Sequence, residues 1–238
     1  MRKQGVSWAR IGLVVPVLAG LRWMGFYSFQ YARADLMAQK GRLYQTRWTG
    51  MAGADIPFKQ RKAAVAAFER ALKLDADNPD HHDRAGRILM GMVDHYPLGS
   101  RERGQILDTA RQHLLKLTQA RPAWPYGWID LALTDQMIGP EHHEELLHAL
   151  VRAVELGPWE QRVQHAAATL TVLAWPALDA AQRRVLVHSV VYQSRHGDIA
   201  ALARIVHIMH WEADFCPLVG MEKGWETTCA GKAPVHQG

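Results

Sequence analysis

From residue 60 onward the apolar residues return at intervals of three and four, and no strand-like alternation of useful length interrupts them. That spacing gathers apolar side chains on one face of a helix, so the pattern predicts an all-α chain. Ala64, Phe68, Ala71, Leu72 and Leu74 share one such face, and Asp75-Ala76-Asp77-Asn78-Pro79 follows as a stop and turn. The same periodicity returns at Ala110, Leu114 and Leu117, and again at Leu146, Leu150 and Ala153 before Gly157-Pro158. Ala167 and Ala168 fall on the helix after that, and residues 178–211 read as two more amphipathic helices, split near His196-Gly197-Asp198. Each one-sided helix needs a neighbour to cover its apolar face. The tail from Pro217 is rich in Gly and Pro and short of apolar runs, which predicts loose order over 212–238.

The first 34 residues follow a different pattern. Arg2, Lys3 and Arg10 precede an uncharged run from Ile11 to Leu21, Arg22 interrupts it, and Trp23 to Tyr31 resume as an aromatic-rich apolar stretch. At about 1.5 Å per residue, roughly 20 helical residues match a hydrocarbon core about 30 Å thick. Arg22 is the unfavourable element, at about 2.5–3.5 kcal/mol for an arginine near the centre of a span. The segment reads as a transmembrane signal anchor. The second reading is a cleaved signal peptide, with Ala32-Arg33-Ala34 as the small-x-small pattern before Asp35. A buried soluble helix is the third, and Pro16 with three glycines disfavours it. Both leading readings take the body out of the cytoplasm. Arg33, Lys40, Arg42 and Arg47 lie just beyond the segment, so its orientation rests on its extreme N-terminal position. The expected division is an anchor over 1–34, a helical body over 35–211 and the tail over 212–238.

Helix pairs that cannot bury their faces alone stack into solenoids, and here the body resembles the tetratricopeptide repeat. Ala64, Phe68 and Ala71 fall on the Ala, Phe and Ala positions of that repeat's second helix, with Ala76 where proline is usual. A first helix follows over 79–93, with Ala85 and Gly86 at the small positions and His82 in place of tryptophan. Trp128, Leu131 and Ala132 fill the Trp, Leu and Gly/Ala positions of a further unit after Arg121-Pro122, and Trp48 heads a degenerate first one. Equivalent positions 48, 82, 128 and 164 lie 34, 46 and 36 residues apart, so the solenoid is irregular, with an insertion around Tyr96 to Gly104. The alternative is an ordinary helical bundle with chance matches.

The runs Arg121-Pro122-Ala123-Trp124-Pro125-Tyr126-Gly127-Trp128 and Glu155-Leu156-Gly157-Pro158-Trp159-Glu160, with Leu173-Ala174-Trp175, resemble the membrane-anchored, tetratricopeptide-like proteins of bacterial exopolysaccharide biosynthesis clusters, the VpsP-like group. The likeness covers roughly residues 30–205. It implies an accessory role in polysaccharide polymerisation or export, with the body on the periplasmic side of the inner membrane, and it brings no catalytic residues. Arg22 and the cysteine-containing tail depart from that pattern.

Composition narrows the chemistry. The net charge is +5, but the basic residues are spread along the chain, so nucleic acid is not an expected partner. The two cysteines, Cys216 and Cys229, are close enough in sequence to form one disulfide in an oxidising compartment. Thirteen histidines invite a metal site, and His207, His210, Asp214 and Cys216 form the nearest constellation, without zinc-ligand spacing. His142 and His143 precede Glu144 and Glu145 at a helix entry and lack an HExxH partner. No GxSxG, Walker loop, GxGxxG or SxxK motif is present, so neither an enzyme nor a cofactor is expected. Most tryptophans sit beside proline at helix junctions and are expected to pack between repeats.

The leading expectation is a non-catalytic protein-binding scaffold in exopolysaccharide assembly. A structural subunit of an inner-membrane complex and a carbohydrate-binding helical module are the alternatives. In a tetratricopeptide stack the first helices line a concave groove, and that register assigns Asp80, Asp83, Arg87, Tyr126, Gln136, Arg162 and His165 to it.

Overall fold

The computed structural model describes residues 8–220, 222 and 224–230. All regular structure among them is helical, as the apolar periodicity predicts. The chain forms two compact units, Met1–Ile88 and Leu89–Gly238.

The first unit holds α1 (Trp8–Trp48), a 3-10 turn at Gly53–Asp55, α2 (Phe58–Leu72) and most of α3 (Pro79–Met90). Helix α1 runs unbroken through residue 34, where the sequence reading divides anchor from body, and ends at Trp48. Pro16 and the glycines within α1 do not end it; it stops at Thr49-Gly50, with Gly50 at φ +85°. Trp48 therefore closes a helix instead of heading one, and its indole donates to Gln60 Oε1 at 3.0 Å. The second half of α1 packs on α2 through Ala34, Ala38 and Gly41, spaced at helical intervals. A Cβ on Gly41 would lie 2.6 Å from the ring of buried Phe68, so only glycine lets α2 approach this closely. Helix α3 starts where Asn78 Oδ1 accepts from the backbone N–H of Asp80 and His81, at 3.0 and 3.2 Å, satisfying two donors that would otherwise be orphaned.

Residues 16–33 of α1 have little covering them. Val17, Leu18, Leu21, Trp23, Met24, Phe26, Tyr27, Phe29 and Tyr31 are all exposed. Among the described residues, however, no helix is long and apolar enough to cross a membrane.

The second unit is a run of antiparallel helices joined by short turns: α4 (Arg101–Ala120), α5 (Pro125–Ile138), α6 (His143–Leu156), α7 (Gln161–Ala174), α8 (Ala180–His196), α9 (Ala200–Ile208) and α10 (Glu212–Val219). Local chemistry marks the ends. Ser100 Oγ caps α4 by accepting from Arg103 N at 3.2 Å, Pro125 opens α5, and a capping box of Asp179 and Gln182 opens α8. Gly139, Gly157 and Gly197 follow α5, α6 and α8, Gly139 at φ +142°. Helix α5 pairs chiefly with α6, and α7 with α8.

Residues 141–150 and 181–190 have the same pattern of burial, position by position. Leu146, Leu147, Ala149 and Leu150 are inward, as are Leu186, Val187, Ser189 and Val190; Glu144, Glu145 and His148 are outward, as are Arg184, Val185 and His188. α6 and α8 are thus the same structural element repeated forty residues apart.

The C-terminal segment is packed, where loose order was expected. α10 occupies Glu212–Val219, and Cys216 and Cys229 are joined by a disulfide with 5.4 Å between their Cα atoms. Trp225 is fully buried, its indole donates to Ser194 Oγ at 2.8 Å, and the Phe215 ring lies between Trp175 and Trp225, 4.5 and 4.9 Å away. Three isolated aromatic rings anchor this segment, and a search for long apolar runs overlooks them. The crosslink spans 13 residues, and a loop of about that length contributes on the order of 3 kcal/mol in the chain-entropy model. Cys216→Ser should therefore lower the unfolding free energy of the second unit by about that amount, read from its denaturant unfolding curve. A thiol assay on unreduced wild-type protein should find no reactive thiol, and two thiols would contradict the pairing.

Candidate functional site

The residues assigned to the groove divide between the two units. In the first, Asp80 and Arg87 are exposed on α3 and Asp83 is half-buried. Arg87 borders a cavity of about 260 Å³ with Gln45, Trp48, Ile56, Arg61 and Ile88. Arg61 is buried in its wall and donates to the Gly53 carbonyl.

In the second unit α5 and α7 bring Tyr126, Arg162 and His165 into one polar band. The Tyr126 hydroxyl donates to Glu160, and this bond raises the phenol pKa above its ordinary value. The Arg162 guanidinium stands 5.4 Å from the Tyr126 ring centroid and donates to Asp130, whose side chain is almost wholly buried. His165 Nδ1 is 2.9 Å from Gln193 Oε1. Gln136 is exposed near the end of α5 and takes no part in this band. Arg162 thus neutralises a buried carboxylate, and replacing it would disturb packing as well as any binding surface.

A second ion pair lies deeper. Arg111 of α4 donates to Asp135 of α5 at 2.6 Å, and the Asp135 side chain is 0% exposed. Burial pushes the Asp135 carboxyl above its ordinary pKa, and the Arg111 hydrogen bond partly opposes it. The partners are 24 residues apart on different helices, and no local sequence signal links them.

Two open grooves flank α6. The α4–α6 groove, about 570 Å³, is bordered by Thr118, Gln119, Pro122, Trp128, Glu144 and His148. The α6–α8 groove, about 850 Å³, is bordered by Val154, Glu155, Pro158, Gln164, Arg184 and His188 among others. The first four residues of each set correspond at the 36-residue interval between positions 128 and 164, and the last two at the forty-residue repeat. The two grooves are therefore successive copies of one feature. Their rings differ: Trp128 is held by a bond to the Pro122 carbonyl at 2.8 Å, whereas Trp159, at the edge of the α6–α8 groove, is 85% exposed. Trp175 and Trp225 pack inside as expected of junction tryptophans, and Trp159 does not.

The histidine constellation is dispersed. Cys216 is committed to its disulfide, Asp214 faces Arg183 at 3.8 Å, and His207 Nδ1 lies 3.0 Å from Glu212. Among the described residues no group of three or more His, Cys, Asp or Glu side chains is placed to hold a metal ion.

Among the described residues the protein is all-α, with a polar band of Tyr126, Arg162 and His165 and two open grooves beside α6. Comparison with protein families finds no family model that matches the chain, and comparison with curated proteins finds none that matches it either.

Proposed function

We propose that the chain is a non-catalytic binding scaffold of a bacterial exopolysaccharide assembly, held at the inner membrane by residues 11–31 with its body on the periplasmic side. The observation that carries the scaffold reading is the recurrence of α6 at α8 together with the groove beside it. Stacking equivalent helix pairs builds an extended surface, which is how helix-repeat proteins engage partners. The polar band of Tyr126, Arg162 and His165, with Gln136 beyond it and Asp80, Asp83 and Arg87 in the first unit, is the proposed partner surface. The resemblance to the VpsP-like group supports the polysaccharide setting. Supporting the membrane placement is the exposed aromatic stretch of α1, since Trp and Tyr favour the bilayer interface. The disulfide supports an oxidising compartment.

The functional reading is tested by affinity capture of the full-length chain from detergent-solubilised membranes, with bound proteins identified by mass spectrometry. Components of polysaccharide synthesis or export are expected in stoichiometric amounts. Membrane attachment is tested separately. The protein should remain in the pellet after alkaline carbonate extraction, whereas recovery from the soluble fraction with a mature N-terminus at Asp35 would show cleavage instead.

A further inference from the structure

The two grooves beside α6 are bordered by several equivalent positions and differ in charge. At the start of α6 the α4–α6 groove carries Glu144 and Glu145, both exposed. Forty residues on, the position equivalent to Glu144 is Arg184, at the border of the α6–α8 groove, and Val185 replaces the second glutamate. None of Glu144, Glu145 and Arg184 forms an ion pair among the described residues. Arg195 and Glu155 of the α6–α8 groove are already committed to Glu222 and Arg152, and Arg111, which borders the α4–α6 groove, to Asp135. The face thus holds an uncompensated acidic site and an uncompensated basic site on equivalent turns of two repeated helices. Between and beside them are two open grooves, and at one edge the exposed indole of Trp159.

We propose that this face is the interface of a homodimer in which α8 of each protomer lies in the α4–α6 groove of the other. Helices α6 and α7, and α7 and α8, pack on each other across short turns, so each pair is antiparallel and α6 and α8 run the same way. A two-fold axis parallel to them preserves helix direction and brings the start of α6 in one protomer to the start of α8 in its partner. Glu144 and Glu145 then meet Arg184 of the partner subunit, and the symmetry repeats the contact a second time. Shape follows the same rule as charge. With α8 of the partner in the α4–α6 groove, α6 of the partner occupies the α6–α8 groove, packing ridges into grooves and covering Trp159. A partner of unrelated sequence could match either charge, but a second copy of this chain matches both at once. The inference concerns a face distinct from the polar band, so it can fail while the scaffold reading stands.

The test is the mass of the full-length protein in a detergent micelle of known size, by light scattering over a concentration series. The wild-type chain should run as a dimer. Arg184→Glu, an exposed change that leaves no buried group unpaired, should raise the dimer dissociation constant at least about tenfold, and Glu145→Arg should do the same. Combining Arg184→Glu with Glu144→Arg and Glu145→Arg should restore the dimer, because the pair is then reversed instead of broken. Circular dichroism on each variant confirms that it is folded. A monomer at every concentration would overturn the proposal, as would a dimer indifferent to Arg184→Glu or a triple variant that fails to recover.

Discussion

Replacing Arg111 with alanine should lower the stability of the second unit by about 3–5 kcal/mol at neutral pH, because it strands a buried carboxylate without its counter-charge. The loss should depend on pH in a defined direction. Asp135 has a folded-state pKa above its ordinary 3.8, raised by burial, so the fold favours the protonated form more than the unfolded chain does. Such a group contributes its full stability below the unfolded value and loses it as the pH rises through the folded value. Without the Arg111 hydrogen bond the folded value moves higher still. The deficit of Arg111→Ala should therefore be complete above that value and shrink as the pH falls toward 3.8. Urea unfolding of both proteins across the acid range measures it, and a deficit independent of pH would mean that Asp135 is not the stranded group. The double variant Arg111→Ala with Asp135→Ala should cost less at neutral pH than Arg111→Ala alone.

An effect of similar size is expected in the first unit. Phe68 is fully buried where Gly41 lets α1 and α2 meet, and Phe68→Ala should cost about 3–5 kcal/mol through lost burial and the cavity left behind. Gly41→Ala should destabilise through the opposite defect. Its new methyl would overlap the Phe68 ring, at a cost of about 1–3 kcal/mol unless the helices separate. In combination the two changes should be less than additive, since removing the ring makes room for the methyl. Thermal unfolding of the two single variants and the double variant settles this; strict additivity would show that the seam is not where the two residues meet.

The helix boundaries were largely legible because they are written in local chemistry. Gly157-Pro158 and His196-Gly197-Asp198 mark the stops of α6 and α8 without knowledge of the rest of the chain, whereas the capping box of Asp179 and Gln182 that opens α8 escapes a reading of apolar spacing. The seam between α1 and α2 was harder to see, because Ala34, Ala38 and Gly41 carry so little apolar surface that they do not register as a hydrophobic face. The same blindness hid the ordered C-terminal segment, whose core contribution comes from Phe215, Trp225 and a disulfide, without a periodic run. In the polar band, the tetratricopeptide register assigns Arg162 to a partner groove, and the structure places it exposed on α7. The register could not reveal that the side chain folds back to Asp130, 32 residues earlier in the chain. Long-range ion pairs depend on how helices stack, and sequence spacing within one helix carries no record of that.

Arg162 is consequently a poor probe of partner binding, and Gln136 and His165, both exposed, are better ones. The most direct measurement of the scaffold claim is quantitative affinity capture from solubilised membranes by the wild-type chain, Gln136→Lys, His165→Glu and Arg87→Ala. Each variant's thermal midpoint is recorded alongside. The scaffold reading predicts that wild type recovers a reproducible set of envelope polysaccharide proteins, and that at least one of the three substitutions reduces recovery several-fold with the midpoint nearly unchanged. Full recovery by all three folded variants would show that the proposed partner surface is not the binding surface. A wild-type chain that recovers no partner at all would contradict the scaffold claim itself.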